Sequence, residues 1–140
     1  MTRSISEKLG VTPNMRTLFI NAPDDFSKNA AFPLLDLKQK RIGTFDYIHY
    51  FVITQKEFHK HFPILKNHLN TKGMLWLSWP KSKRKLTDLN IQKVIELGYT
   101  YGLVESKVVS IDEIWSAIKF THPINGKIYN NSYGQLLSNQ

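Results

Sequence analysis

A group of polar and charged residues follows three predicted strands of this chain, at the points where the strands end. In open α/β sheets the carboxyl ends of neighbouring parallel strands meet at one edge, and ligands bind in the crevice beside it. Side chains placed there can fix a small molecule by hydrogen bonds and charge, so we predict a ligand pocket. Its residues are Asn21, Asp24, Asp25, Thr54, Ser78, Trp79 and Lys81.

The residues of this predicted pocket also have structural interpretations. Asp24 or Asp25 can cap a short helix after the first strand, and Thr54 can cap the helix after the second. Aspartate and threonine suit this role because their side-chain oxygens accept hydrogen bonds from the free amides at a helix start. Trp79 can pack in the core instead of contacting a ligand. The sequence leaves both interpretations open.

The densest basic cluster of the chain follows the third strand. Lysine and arginine bind phosphate, and the adjacent Trp79 can stack a base, so the cluster predicts an anion-binding site or a surface for nucleic acid. A helix predicted to begin at Thr87 or Asp88 would add free amides to the same positive field. The alternative is a solvated surface loop. The members of the cluster are Lys81, Lys83, Arg84 and Lys85.

The residues indicate no catalytic or metal chemistry. The chain has five histidines, but His59 and His61 are two residues apart and would point to different sides of a helix. His61 and His68 lack a third ligand at a useful spacing. No combination of serine, histidine and aspartate and no phosphate-binding glycine loop is present at a recognisable spacing. We therefore predict no catalytic residue and no metal site.

The predicted pocket depends on a central strand at residues 73–79. The apolar run from Met74 to Leu77 is uninterrupted, which is typical of a strand covered on both faces. Pro80 should end its pairing, because proline has no N–H. Residues 45–53 predict a second strand, and an amphipathic helix between the two strands makes a parallel β-α-β unit. Pro63 either kinks this helix or begins a second one.

The remaining elements complete an α/β fold. A capping box at Ser4 and Glu7 predicts a short helix that ends at Gly10. The polar residues 122–140 are predicted to be a C-terminal tail, which leaves residues 1–121 as the domain. The other predicted elements are a strand at 16–22, a short helix at 24–30, a short strand at 34–37, a helix at 89–97 ending at Gly98, and an antiparallel hairpin of strands 104–111 and 115–121.

The overall composition is that of a folded, basic protein. The 140 residues are 41% hydrophobic and 21% charged, which fits one globular domain. The net charge of +8 favours anionic partners such as phosphate ligands or nucleic acid. There is no cysteine, no signal-peptide core and no apolar run long enough to span a bilayer. We therefore predict a cytoplasmic protein that does not enter the membrane.

Two sequence stretches, Phe45-Asp46-Tyr47-Ile48 and Gly73-Met74-Leu75-Trp76-Leu77, are similar to neighbouring strands of class I S-adenosylmethionine-dependent methyltransferases. The order of elements resembles the C-terminal half of that family, whose last two strands form an antiparallel hairpin. The chain resembles more closely a family of short bacterial proteins of unknown function with this fold. That resemblance rests on Lys8-Leu9-Gly10 with Pro13, Asn21-Ala22-Pro23-Asp24, Trp79-Pro80-Lys81, Thr87-Asp88-Leu89, Asp112-Glu113 with Trp115, and Lys119-Phe120.

The resemblance implies a three-layer, Rossmann-like α/β sandwich with a mostly parallel sheet and an antiparallel C-terminal hairpin, in a shortened methyltransferase-like form. The methyltransferases carry a Gly-x-Gly-x-Gly loop after the first strand, where glycine lets the backbone approach the cofactor. This chain has Asn21-Ala22-Pro23-Asp24-Asp25-Phe26 at that place. The segment from Asp24 to Gly43 is also short for the family's helix, strand, helix and strand, so we predict that one strand is missing.

These features lead to three hypotheses for the function. The preferred one is a non-catalytic, methyltransferase-like binding or interaction module without a cofactor, because the glycine loop is absent. The second is an S-adenosylmethionine-dependent, methyltransferase-like enzyme with an altered cofactor site. The third is a nucleic-acid-binding protein that uses the basic loop.

Overall fold

The computed structural model describes residues 3–81 and 86–136 of the chain. Lys83, Arg84 and Lys85 of the predicted anion site lie outside the described residues. In chain order, the elements of the described residues are α1 (Ile5–Leu9), β1 (Arg16–Ile20), α2 (Phe26–Ala30), β2 (Asp36–Lys38), β3 (Phe45–Phe51), α3 (Gln55–Asn67), β4 (Leu69–Pro80), α4 (Ile91–Thr100), β5 (Val104–Ser110) and β6 (Trp115–Thr121).

The strands form one sheet in the order β2-β1-β3-β4-β6-β5. The first four strands of that order are parallel, with Ile48 of β3 opposite Leu75 of β4. β6 runs antiparallel to β4, and β5 runs antiparallel to β6, with Val109 opposite Ala117. The predicted fold class, a mostly parallel Rossmann-like sheet with an antiparallel C-terminal hairpin, is confirmed.

Helices cover both faces of the sheet, so the fold has three layers. On one face, Phe58 and Phe62 of α3 and Val94 of α4 belong to the same buried cluster as the strand residues facing them. On the other face, Leu9 of α1 and Phe26 of α2 belong to a second buried cluster. The residues of β4 from 73 to 80 are buried throughout, as the uninterrupted apolar run predicts for a strand covered on both faces.

The segment between Asp24 and Gly43 holds only α2 and β2. The sheet therefore lacks the second helix-strand pair that the resemblance places there, and β2 becomes the edge strand. The predicted strand at 34–37 is shifted and occupies Asp36–Lys38. Among the described residues, α3 is one helix that contains Pro63, so the alternative of two helices is wrong.

The prediction that Thr87 or Asp88 caps the last helix is wrong. The N-cap residue of α4 is Asn90, whose side chain accepts a hydrogen bond from the Lys93 amide. Asp88 instead accepts one at 2.8 Å from the amide of Gln55, at the start of α3. Gly98 does not end α4 but lies within it, because α4 runs on to Thr100.

Part of the predicted tail packs against the domain. Leu136 is buried in the same cluster as α3 and α4. The side-chain amide of Asn131 donates to the carboxylate of Glu105 on β5 at 2.6 Å. The end of the described segment therefore packs beside Tyr99 of α4, and Asn131 bonds to β5.

Candidate functional site

A cleft opens at the carboxyl edge of the sheet, between the ends of β1 and β3. The chain leaves β1 to form β2 on one side and returns to form β3 on the other. This is a topological switch point, where open α/β sheets bind ligands. The cleft encloses about 540 Å³, which lies within the roughly 300–1,000 Å³ of small-molecule sites. It is lined by Asn21, Pro23, Phe51, Val52, Ile53, Thr54, Glu57 and Trp115.

Asn21 and Thr54, two residues of the predicted pocket, line this cleft. Asn21 has a φ of 59°, in the left-handed region that asparagine tolerates better than most residues with a side chain. Its amide donates weakly to the carbonyl oxygen of Phe51, at 3.5 Å. Thr54 is the N-cap of α3, and its hydroxyl accepts a hydrogen bond from the Glu57 amide at 3.2 Å. Both residues thus shape the rim of the cleft.

Glu57 supplies the carboxylate among the residues that line the cleft. Its side chain is 47% exposed, and Oε2 lies 3.1 Å from Nε2 of His61. Beneath it, the Tyr50 hydroxyl donates to the Glu57 carbonyl oxygen at 2.9 Å. Burial, and secondly the Glu57 charge, raise the pKa of Tyr50. The rim therefore carries a negative charge that favours a cationic ligand group. Glu57 is not among the residues of the pocket predicted from the sequence, although it lines the cleft.

A smaller pocket of about 50 Å³ adjoins the cleft and shares Pro23, Phe51 and Trp115 with it. Asp25, another residue of the predicted pocket, lines this smaller space. Asp25 stands at the N-cap position of α2 without a side-chain capping bond, and its carboxylate accepts from the Asn29 amide at 3.3 Å. Asp24 is exposed and is not among the residues that line either space.

Ser78 and Trp79 lie inside the protein. Trp79 is 5% exposed and packs in the core between the sheet and α3 and α4. Ser78 is completely buried on the opposite face, and its Oγ lies 2.7 Å from Nε2 of His49. Nδ1 of His49 lies 2.6 Å from the Tyr47 hydroxyl. Burial lowers the pKa of His49 to about 3 and raises the pKa of Tyr47. These three residues form a neutral, hydrogen-bonded chain that does not line the cleft.

Lys81 is held by the hairpin of β5 and β6. Its ammonium group donates to the Ser110 hydroxyl and to the Asp112 carbonyl oxygen, both at 2.6 Å. Its backbone amide donates to the carbonyl oxygen of Ile114 at 2.7 Å. These bonds direct Lys81 toward the hairpin turn, and Lys81 is not among the residues that line the cleft. Of the seven residues of the predicted pocket, Asn21 and Thr54 line the cleft. Asp25 lines the smaller pocket beside it.

Two solved structures of methyltransferases have a fold similar to that of this chain. A ribosomal protein L11 methylase from Lactobacillus delbrueckii subsp. bulgaricus superposes with a TM-score of 0.52 at 14% sequence identity, over 84% of this chain and 74% of that one. A TehB-like SAM-dependent methyltransferase from Corynebacterium glutamicum superposes with a TM-score of 0.54 at 10% identity, over 85% of this chain and 87% of that one. The chain has a methyltransferase-like fold.

The similarity lies in the fold and not in the sequence. No protein-family model matches the chain, and no curated protein matches it significantly. At 10% and 14% identity, the two structures establish the architecture alone. In the described part of the chain, no three His, Cys, Asp or Glu residues converge to hold a metal ion. None of the described helices is long and apolar enough to cross a membrane.

Proposed function

We propose that this protein binds S-adenosylmethionine in the cleft between β1 and β3, as a methyltransferase-like enzyme with an altered cofactor site. The observation that carries the proposal is the position of the cleft at the topological switch point of a methyltransferase-like sheet. When bound, S-adenosylmethionine supplies a methyl group that is activated for transfer to a nucleophile.

The residues of the cleft fit such a cofactor in size and in chemistry. Its walls combine an apolar surface, from Phe51, Ile53 and Trp115, with the polar groups of Asn21 and Glu57. An apolar wall accepts an adenine ring, and a few polar groups fix its orientation. The Glu57 carboxylate can accept hydrogen bonds from hydroxyl or ammonium groups of the cofactor.

The turn after β1 differs from a glycine loop in what its backbone can donate. Pro23 lines the cleft but has no N–H, so it cannot bind a cofactor through its backbone nitrogen. Asn21 takes the left-handed conformation at this turn and adds a side-chain amide, which a glycine would not have. The altered site therefore replaces backbone contacts with contacts from Asn21 and Glu57.

Isothermal titration calorimetry with S-adenosylmethionine and S-adenosylhomocysteine tests the proposal. We expect the parent protein to bind both with a stoichiometry of one. Glu57→Gln should weaken both by about tenfold or more, because it removes a charged acceptor. Glu96→Gln is the matched control. Glu96 is 52% exposed and pairs with Lys93, much as Glu57 is 47% exposed and pairs with His61, but it lies on α4 and does not line the cleft.

Three results would count against the proposal in different ways. If neither compound binds the parent, the proposal fails and the non-catalytic module without a cofactor is favoured. If both bind and Glu57→Gln has no more effect than Glu96→Gln, the cofactor lies outside this cleft. If the protein binds S-adenosylmethionine but never releases S-adenosylhomocysteine in the presence of candidate acceptors, it is a binding module and not an enzyme.

A further inference from the structure

In the described part of the chain, β2 is an edge strand of the sheet with no strand on its outer side. All three residues of β2 are exposed, and the strand pairs with β1 on its inner side. Leu37 is 42% exposed, and the nearby Leu34 and Ile42 are 80% and 64% exposed. An edge strand with free backbone groups and exposed apolar side chains is a template for pairing with another chain.

The opposite edge of the sheet, at β5, has the features that prevent such pairing. The pairing of β5 with β6 shifts register between Glu105 and Lys107, and an irregular edge with a lysine resists strand addition. The Lys107 ammonium group donates to the carbonyl oxygen of Lys8 at 2.9 Å. Asn131 from the C-terminal segment bonds to Glu105. The described residues provide no comparable cover for β2, which makes β2 the edge available for pairing.

The backbone of β2 presents matched hydrogen-bonding groups to the outside. The amide of Asp36 donates to the carbonyl oxygen of Met15 at 3.0 Å, and the carbonyl oxygen of Leu34 accepts from Asn14 at 2.7 Å. Leu34 and Asp36 therefore direct these backbone groups toward the segment that leads into β1. Because the direction alternates along a strand, the N–H and C=O groups of Leu37 point outward together.

We propose that β2 pairs with β2 of a second copy of this chain, in an antiparallel arrangement around a two-fold axis at Leu37. Two-fold symmetry places Leu37 opposite the same residue of the second copy, and the outward N–H of each donates to the outward C=O of the other. The inference concerns the edge of the sheet and does not rest on the proposed cofactor site.

Charge complementarity favours a second copy over another partner. Asp36 and Lys38 flank Leu37 and lie side by side, with 3.1 Å between Oδ1 and Nζ. An antiparallel pairing centred on Leu37 sets Asp36 opposite Lys38 of the second copy, and it does so twice because of the symmetry. Opposite charges in directly facing positions stabilise an antiparallel pair, whereas like charges destabilise it. A three-residue strand with the order acid, leucine, base is thus complementary to itself.

Cysteine crosslinking tests the register, because the chain has no cysteine of its own. In Leu37→Cys the two introduced thiols would belong to directly facing residues. The Cα atoms of such a pair are about 5.5 Å apart, within the roughly 4.4–6.8 Å that a disulfide spans. We expect Leu37→Cys to form a covalent dimer on mild oxidation. Val108→Cys is the matched control, because Val108 is 48% exposed on the opposite edge strand.

Charge reversal tests the proposal without a covalent bond. The parent should be a dimer in light scattering and sedimentation, and Asp36→Lys or Lys38→Asp should each raise the dimer dissociation constant by about tenfold or more. The double variant Asp36→Lys/Lys38→Asp should restore dimerisation, because the facing charges are again opposite. Circular dichroism confirms that each variant is folded.

The proposal is overturned if the parent is monomeric at the highest soluble concentration. It is also overturned if Leu37→Cys crosslinks no better than Val108→Cys, or if the single reversals dimerise like the parent. A disulfide between Leu37→Cys and a different protein would contradict pairing with a second copy and assign the edge to another partner.

Discussion

His49 of β3 and Ser78 of β4 are joined by a hydrogen bond between completely buried side chains, with 2.7 Å between Nε2 and Oγ. The Tyr47 hydroxyl lies 2.6 Å from the other ring nitrogen of His49. The ring of His49 stacks on Phe51, with 4.6 Å between the ring centroids. A proton added to His49 would thus place a positive charge in the apolar interior, which is why burial lowers the pKa of its imidazole to about 3.

This burial predicts a loss of stability in acid. In the unfolded chain the pKa of His49 returns to its ordinary value of 6.5, whereas in the folded protein it is about 3. Between these values the unfolded state binds a proton that the folded state does not, so the free energy of unfolding falls as the pH is lowered. His49 contributes a slope of at most about 1.4 kcal/mol per pH unit in this window. Urea unfolding at a series of pH values measures it.

Because carboxylates also titrate in this range, the contribution of His49 needs a residue-specific measurement. Nitrogen-15 resonances of the imidazole report its protonation directly. We expect the His49 ring to stay neutral throughout the upper part of the window, while the protein remains folded. Titration of His49 near its ordinary pKa of 6.5 would show that the ring is not buried as described.

A second prediction concerns the contact between Gly98 and Phe120. A Cβ atom at Gly98 would lie 2.2 Å from Cε1 of Phe120, far inside van der Waals contact. Replacing glycine with alanine inside an exposed helix normally stabilises it by up to about 1 kcal/mol. We expect Gly98→Ala to have the opposite sign and to destabilise the protein by about 1–3 kcal/mol, because it overpacks the core.

Phe120→Leu tests whether the clash with the Phe120 ring is the cause, because the smaller side chain opens space beside α4. We expect Gly98→Ala to cost less in the Phe120→Leu background than in the parent, so a double-mutant cycle should show coupling. Gln92→Ala serves as the control for helix propensity, since Gln92 is exposed on α4. Equal costs of Gly98→Ala in the two backgrounds would rule out the steric explanation.

The sequence predicted the elements whose signals are local. The apolar run from Met74 to Leu77 is covered on both faces, because Leu75 and Leu77 belong to one buried cluster and Met74 and Trp76 to the other. The strand predicted at 115–121 likewise coincides with β6, although its burial does not alternate throughout, because Ala117 and Ile118 are both buried. Such patterns depend only on whether the side chains on each face of a strand are buried or exposed. They can therefore be recognised without knowing the partner strand.

It was harder to predict which residues of the predicted pocket reach the cleft, because their positions depend on register and on contacts between distant segments. The pairing of β3 with β4 shifts register between Phe45 and Tyr47, and only the resulting register places His49 next to Ser78. Nothing in the local sequence fixes that shift. In the same way, Lys81 bonds to residues about 30 positions away, so its direction could not be deduced from its place after Pro80.

The third prediction concerns Trp76, which is completely buried and donates from its indole N–H to the Leu9 carbonyl oxygen at 3.0 Å. We expect Trp76→Ala to lower the free energy of unfolding by about 3–5 kcal/mol, as for other large-to-small changes in a core. Trp76→Phe keeps most of the packing but removes the hydrogen bond, so it should be the milder change. A cost below about 1 kcal/mol for Trp76→Ala in a denaturant titration would contradict this burial.

The last prediction concerns Lys81, whose ammonium group is held by Ser110 and the Asp112 carbonyl oxygen. Lys81→Met keeps the aliphatic part of the side chain and removes both hydrogen bonds. Because these bonds join the end of β4 to the turn between β5 and β6, we expect a destabilisation of about 1–3 kcal/mol. Faster amide exchange in the hairpin should accompany it.

Lys60→Met, at an exposed position on α3, is the control for loss of one positive charge. It should leave both the free energy of unfolding and the hairpin exchange close to the parent values, since surface substitutions usually change stability by less than about 0.5 kcal/mol. Titration of the parent and both variants with inorganic phosphate separates the two roles open to Lys81. If Lys81→Met abolished phosphate binding without changing stability, Lys81 would be a ligand-binding residue. Lower stability with phosphate binding unchanged would identify Lys81 as the residue that fastens the hairpin to β4.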